Sequence, residues 1–153
     1  MSEKLYNTVI FDLDGTLANI DKRRKKATKP DGKLNWEKFF SDELIKKDSP
    51  NIPVIQTAKL FHQNGFKIYV LSGRSDNTKD VTTEWLKRFD IPYDLLKMRA
   101  KNDTRPDEVI KKEFISELSI IENIFLVLDD RDKVVKMWRS LQLPCFQVNE
   151  GSF

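Results

Sequence analysis

The stretch NTVIFDLDGTLANI, residues 7–20, decides the fold. Thr8, Val9, Ile10 and Phe11 form a continuous apolar run. Such a run predicts a strand buried on both faces, as in parallel sheets. Asp12 and Asp14 stand at its end, and Gly15 opens a turn. In extended chain, residues two apart point to the same side. Two carboxylates are therefore aimed at one spot where a buried strand emerges. Their repulsion is costly without a proton or a cation between them.

Two further runs resemble the first. KIYVLSGR predicts a strand over 67–71, followed by Ser72, Gly73 and Arg74. NIFLVLDDR predicts a strand over 124–128, followed by Asp129, Asp130 and Arg131. Weaker strand patterns cover 93–98 and 145–148. Between them lie amphipathic stretches at helical spacing. One is 52–63, with Ile55, Ala58, Leu60 and Phe61. The others carry Val81, Trp85, Leu86 and Phe89; Val109, Ile110, Phe114, Ile115 and Leu118; and Val134, Val135, Trp138 and Leu141. Strands alternating with helices predict an α/β fold, a Rossmann-like, mostly parallel five-stranded sheet flanked by helices. Ligands of such sheets sit beyond the carboxyl ends of the strands. All three polar clusters fall there, so they are expected to converge.

Residues 19–51 interrupt the alternation. The basic run KRRKKATKPDGK, 22–33, reads as a loop, and LNWEKFFSDELIKK, 34–47, as a short helix. Together they predict a small cap inserted after the first strand, overhanging the site. The 153 residues suit one domain, 1–153, with its own core. With 39% hydrophobic and 33% charged residues, the composition is that of a globular chain. A net charge of +3 tolerates an anionic ligand but does not establish nucleic-acid binding. The single cysteine, Cys145, excludes an intrachain disulfide and fits a reducing compartment. No leader or membrane-spanning run is visible, and the expected location is the cytoplasm.

Asp12, Asp14, Asp129 and Asp130 would form an acidic cluster. Hard oxygen ligands without histidine or cysteine favour magnesium over zinc. A bound cation would also neutralise a phosphate. Ser72, the main-chain amides of the adjoining turns around Gly73, and Lys111 would hold phosphate oxygens. A carboxylate beside such a phosphoryl group can act as a nucleophile.

DLDGT, LSGR, a lysine at the start of a later helix, and LDD resemble the four motifs of the haloacid dehalogenase superfamily. MRAKNDTRPDEVIKKE and LDDRDKVVKMWRSLQLPCFQVNEGSF are further similar to the phosphatase domain of bacteriophage polynucleotide kinase-phosphatase. The resemblance covers nearly the whole chain. No GxxxxGK[ST] loop is present, so these residues hold no kinase of that kind. The resemblance implies that Asp12 attacks phosphorus. Asp14 would protonate the leaving oxygen and then activate water. Magnesium would be bound by Asp12, the Asp14 carbonyl and Asp129, with Asp130 assisting. Ser72 and Lys111 would hold the phosphoryl group. Arg23, Arg74, Arg99 and Asp107 match further positions that support the site or the substrate. The implied activity is a magnesium-dependent phosphomonoesterase working through an aspartyl-phosphate on 3′-phosphates of nucleotides or nucleic-acid ends. Residues 19–51 depart from the phage pattern. Alternatives are a mononucleotidase and a non-catalytic nucleic-acid-binding module. The module is disfavoured because no acidic residue of the pattern is lost, nor is the lysine.

Several of these residues also have ordinary structural readings. Thr104 and Asp107 fit a capping box, and Asp107 with Lys111 an i, i+4 ion pair. Lys112 is the alternative to Lys111, and Arg23 lies in a run that solvent alone would accommodate. His62 falls late in a helix, where a cation is favoured. Cys145, Trp85 and Trp138 read as core. Trp36, Phe39 and Phe40 either pack the insertion down or offer a stacking surface for a base.

Overall fold

The computed structural model describes residues 6–153, so expectations about a leader at residues 1–5 lie outside the described residues. Strand β1 (Thr8–Phe11) is the middle of a five-stranded sheet. It pairs in parallel with Lys67–Ser75 and with Ile124–Asp129. Leu95–Arg99 and Cys145–Gln147 form the two edges, also parallel. All four β1 residues are buried because each face of the sheet carries its own core. Val9 and Phe11 pack with Ile55, Ala58, Trp85 and Leu86 on one face. Ile10 packs with Ile110, Phe114, Val134 and Trp138 on the other. The period-two alternation of a strand thus feeds two apolar layers. Each such side chain contributes about 1.5–3 kcal/mol on burial.

The remaining elements, in chain order, are β2 (Ala18–Asn19), α1 (Asp21–Ala27), α2 (Trp36–Phe39), α3 (Asp42–Ile45) and β3 (Ser49–Pro50) within the insertion. Then follow α4 (Ile52–Gln63), β4 (Lys67–Ser75), α5 (Lys79–Arg88), β5 (Leu95–Arg99), α6 (Asp107–Leu118), β6 (Ile124–Asp129), α7 (Asp132–Ser140) and β7 (Cys145–Gln147). Sheet order is β5-β4-β1-β6-β7, so β1 and its two neighbours bring their carboxyl ends side by side. Among the described residues, no helix is long and apolar enough to cross a membrane.

Four local expectations are corrected. The basic run is not simply a loop. Its first part is helix α1, which turns Arg23 and Ala27 inward. Only two of its seven residues are buried, so no apolar stripe marks it in the sequence. Strand β4 runs on through Ser72, Gly73 and Arg74, and its register with β5 shifts between Ser72 and Ser75. Helix α6 begins at Asp107 behind Pro106, with no side-chain cap bond, so the Thr104 capping box does not form. Leu60 and Val109, counted above on apolar stripes, are exposed.

The insertion leaves and returns through the antiparallel pair β2–β3. Asn51 clips the neck: its side chain donates to the Thr16 carbonyl at 2.9 Å. Phe39 is buried and Phe40 packs against the core, whereas Trp36 is 59% exposed and stacks on Phe40.

Candidate active site

Asp12 follows β1, Asp129 ends β6 and Asp130 follows it. All three are buried, with one carboxylate oxygen of each within 4.8 Å of the others. Lys111 reaches this cluster from α6. Its Nζ donates to Asp12 Oδ1 at 2.7 Å and to Asp129 Oδ2 at 3.0 Å. Thr16 Oγ1 donates to Asp12 Oδ2 at 2.9 Å, and Trp138 Nε1 to Asp129 Oδ2 at 3.1 Å. Lys112, the alternative lysine, is exposed.

One ammonium group does not balance three buried carboxylates. Burial, with Asp12 and Asp129 beside it, pushes the Asp130 carboxyl up to about 9. Burial and Asp129 raise Asp12 to about 6, against the pull of Lys111. Burial works against charge on Lys111, but Asp12 and Asp129 outweigh it and hold the ammonium charged. Asp130 Oδ1 is buried without a hydrogen-bond partner among the described residues. An orphaned buried carboxylate oxygen beside two more carboxylates is what a hard divalent cation satisfies. The residues therefore fit such an ion.

Gly15 is required for this packing. Its φ is +84°, and a Cβ there would lie 2.0 Å from Asp130 Oδ2. Asp130 also borders a cavity of about 40 Å³ lined by Gly15, Asp21, Arg24 and Phe153. The Arg24 guanidinium lies 3.9 Å from the centre of the Phe153 ring.

The Asp14 carboxylate stands apart from the three-carboxylate cluster. Its Oδ1 accepts from Arg23 Nη2 and from Arg74 Nε at 2.9 Å and Nη2 at 2.5 Å. These contacts leave Oδ2 clear. Burial alone would raise the Asp14 pKa, but the Arg23 and Arg74 guanidinium groups hold it well below the usual carboxylate range. The two arginines are 2% and 1% exposed. Arg23 also donates to Asp48 and to the Phe39 carbonyl, and Arg74 to Thr82 Oγ1. Neither is a solvated surface residue, and neither presents a free fork to a phosphate.

Ser72 is buried, and its Oγ accepts from the Arg74 amide at 3.1 Å. Gly73 lies against Asp107, where a Cβ would fall 2.5 Å from Oδ1. The expected Asp107–Lys111 ion pair is replaced by two others. Arg99 Nη2 holds Asp107 Oδ1, and Arg131 Nη1 holds Oδ2 at 2.7 Å. Arg99 is further spent on the carbonyls of Gly73, Asp103 and Arg105. Lys111 turns to Asp12 and Asp129 instead, whose paired charge is the deeper trap.

Sequence reasoning missed Asp48, Thr16, Trp138 and Arg131 as neighbours of the site. Thr16 sits within the DGT motif, and Arg131 directly after the Asp129-Asp130 pair. Asp48, in KKDSP, carries no pattern at all.

A parallel sheet with aspartates at the tips of adjacent strands and a buried lysine defines a haloacid dehalogenase-type phosphatase. A haloacid dehalogenase-like hydrolase from Streptococcus pneumoniae shares the fold, with TM-score 0.69 over 95% of this chain and 85% of its own, at 10% identity. More narrowly, the chain belongs to the family of the polynucleotide kinase PNKP phosphatase domain, whose model matches residues 6–153. A solved chain of the Pnkp1/Rnl/Hen1 RNA repair complex is 39% identical, with TM-score 0.80, over 95% of this chain and 43% of that one. A protein of Autographa californica nuclear polyhedrosis virus, named a bifunctional polynucleotide kinase/RNA ligase, is 31% identical over 148 residues. That match covers 94% of this chain and 19% of the viral protein. The chain thus spans less than half the length of these relatives.

Proposed function

We propose that this chain is a magnesium-dependent phosphomonoesterase that removes 3′-phosphates from nucleotides or nucleic-acid ends, with Asp12 as the nucleophile. The observation that carries this reading is the placement of Asp12: a buried carboxylate gripped by Lys111 within a cluster of three carboxylates. In the reaction an Asp12 oxygen attacks phosphorus and the ester P–O bond breaks. The bonding pair leaves on the alcohol oxygen, which takes a proton from Asp14. Arg23 and Arg74 keep Asp14 ionised in the free protein, so it takes that proton up together with the substrate, whose phosphate charge beside it favours the neutral carboxyl. Asp14 then accepts a proton from water, whose oxygen attacks phosphorus. The bond to Asp12 breaks and inorganic phosphate leaves. Ser72 and Lys111 hold the phosphoryl oxygens. Magnesium, held by Asp12, Asp129, Asp130 and the Asp14 carbonyl, would supply the positive charge that offsets the phosphate and the carboxylates. Arg23 and Arg74 secure Asp14 through Oδ1, which leaves Oδ2 for proton transfer. Arg99 secures Asp107 against Gly73.

Membership of the polynucleotide phosphatase family, and relatives named for RNA repair and polynucleotide kinase activity, support a nucleic-acid 3′ end as substrate. We take residues 1–153 as one domain, with 19–51 as its cap. A buried thiol at Cys145 suits a cytoplasmic setting. A mononucleotidase is the second reading. It is favoured by the commitment of Arg23, Arg74 and Arg99 to acceptors within the protein, which leaves none of them for a second phosphate. One experiment tests both: phosphate release from a 3′-phosphorylated oligonucleotide, its 5′-phosphorylated counterpart and a 3′-mononucleotide, after chelation and after magnesium is restored. Faster release from the 3′ oligonucleotide is expected. Preference for the 5′ end would overturn the assignment, and equal rates on oligomer and mononucleotide would favour the second reading.

A further inference from the structure

Asp48 is buried in the return arm of the cap, ahead of β3. Its carboxylate takes Arg23 in a two-point grip, with Nε to Oδ1 at 3.1 Å and Nη2 to Oδ2 at 2.7 Å. Its main-chain carbonyl accepts from Trp85 Nε1 at 3.0 Å, which ties it to α5 beneath the sheet. Arg23 is held from two more sides. Its guanidinium lies 4.4 Å from the centre of the Phe39 ring, and Nη1 donates to the Phe39 carbonyl at 3.2 Å. The remaining contact of Nη2 is Asp14 Oδ1. Three pieces of the cap, α1, α2 and the return arm, thus converge on one guanidinium whose outer edge ends on Asp14.

We infer that Asp48 is a positioning residue, which acts through Arg23 to orient the proton-transferring carboxyl of Asp14. The inference rests on the reading of Asp14 given above. A carboxylate that grips a guanidinium at two points fixes its plane as well as its position. Asp48 therefore sets the direction from which Arg23 holds Asp14 Oδ1, and with it where Oδ2 points. It also completes a charge balance. Asp14 and Asp48 oppose Arg23 and Arg74, and Asp48 Oδ2 is 3.6 Å from Arg74 Nη2. Without the Asp48 charge the group carries an excess positive charge around Asp14, and Arg23 loses its two-point grip, since an amide keeps only one acceptor oxygen.

The test compares two substrates by kcat/KM, which reports the steps through loss of the leaving group. A nucleoside 3′-phosphate expels an alkoxide that needs a proton. p-Nitrophenyl phosphate expels a phenolate that needs none. Asp48→Asn should lower kcat/KM on the nucleotide by about tenfold or more, since small misplacement of a reacting group is costly. On p-nitrophenyl phosphate the loss should stay within about threefold, because the proton-transfer contribution is absent there. The ratio of the two does not depend on the fraction of folded enzyme. If Asp48→Asn does not fold, Asp48→Glu keeps the charge, shifts the grip and should show the same selective loss. In an Arg23→Gln background, Asp48→Asn should cost little further. Parallel losses on both substrates, an undiminished nucleotide rate, or additive losses in the double variant would overturn the inference. A wild-type protein inactive on both substrates would instead sink the phosphatase reading itself.

Discussion

Lys111 and Asp12, 99 positions apart in the chain, form a buried ion pair at 2.7 Å. The same ammonium reaches Asp129 at 3.0 Å. Replacing Lys111 with Met removes the ammonium that pairs with two of the three clustered carboxylates, Asp12 and Asp129. Removal of one partner from a buried pair costs about 3–5 kcal/mol. Lys111→Met should therefore unfold at markedly lower temperature in chelator. Magnesium should recover more of that loss than it adds to the wild type, because the ion takes over the missing positive charge. Phosphate release should fall at least about hundredfold, as when a charge-stabilising donor is removed from a reacting centre. Melting curves with and without magnesium check the stability part. An equal magnesium gain in both proteins would separate Lys111 from the ion site.

Asp12→Asn should abolish phosphate release and leave the fold intact, because the amide keeps the shape but is a poor nucleophile. It should also unfold no more easily than wild type in chelator. Burial and Asp129 raise the Asp12 carboxyl to about 6, so its ionised form is unfavourable in the folded state. With a folded value above the ordinary 3.8, its contribution to stability falls as pH rises from about 4 to about 6. Asp12→Asn should flatten that part of the pH–stability curve. Melting temperatures at pH 4, 5, 6 and 7 without metal measure it, and substantial residual turnover would remove Asp12 as nucleophile.

Gly15→Ala should be damaging for two separate reasons. A φ of +84° strains any Cβ-bearing residue, at about 1–3 kcal/mol. The added methyl would also meet Asp130 Oδ2 at 2.0 Å. Gly32→Ala has nearly the same φ, +82°, but open space around it. The pair separates strain from crowding. Both variants should lose stability, but only Gly15→Ala should weaken magnesium activation, read as a higher magnesium concentration for half-maximal rate. Equal magnesium responses would show that Asp130 is dispensable.

Burial, together with Asp129, pushes the Cys145 thiol up to about 12 from its ordinary 9.0. Thiolate is the reactive form. Native Cys145 should therefore react with iodoacetamide at pH 8 at least about a hundredfold more slowly than in the urea-unfolded chain, given tenfold less thiolate per pKa step. The sign for stability follows from the neutral thiol being favoured in the folded state. The contribution is intact below pH 9 and lost as pH rises from 9 towards 12. Rapid labelling of the native protein would contradict the burial of this side chain.

How far the fold and site were legible in the sequence depends on which interaction placed each residue. The β1 run and its two neighbours were readable because a strand buried on both faces is apolar throughout. The convergence of Asp12, Asp129 and Lys111 then follows from topology. Asp48 was unreadable because its role depends on Arg23, 25 positions away, and on Trp85, 37 away. Arg23 misled because the sequence around it is uniformly basic, and only helical phase separates it from its neighbours. Arg23 and Ala27 turn inward while Lys22, Lys25 and Lys26 remain exposed. The Asp107–Lys111 spacing suited an ion pair, yet Asp12 and Asp129 outcompeted Asp107 for the ammonium group.

That helical phase supplies a last expectation, about how a polymer would be recognised. Lys22, Lys25 and Lys26 lie three and four apart on the exposed part of α1, while Arg23 and Ala27 turn inward. Among the described residues, no carboxylate lies within ion-pair distance of them. If the substrate is an oligonucleotide, this exposed face supplies the backbone contacts that buried Arg23 and Arg74 do not. Each phosphate neutralised on a single strand steepens the fall of log affinity with log salt by about 0.7. Replacing the three lysines with glutamine should then flatten that slope by up to about 2 for a 3′-phosphorylated oligonucleotide. The loss should appear as a higher KM with kcat nearly unchanged, since the contacts are remote from the phosphoryl group. A 3′-mononucleotide should be hydrolysed as before. Steady-state rates at two salt concentrations on both substrates decide it. An unchanged oligonucleotide KM in the triple variant would return this face of α1 to solvent and strengthen the mononucleotidase reading.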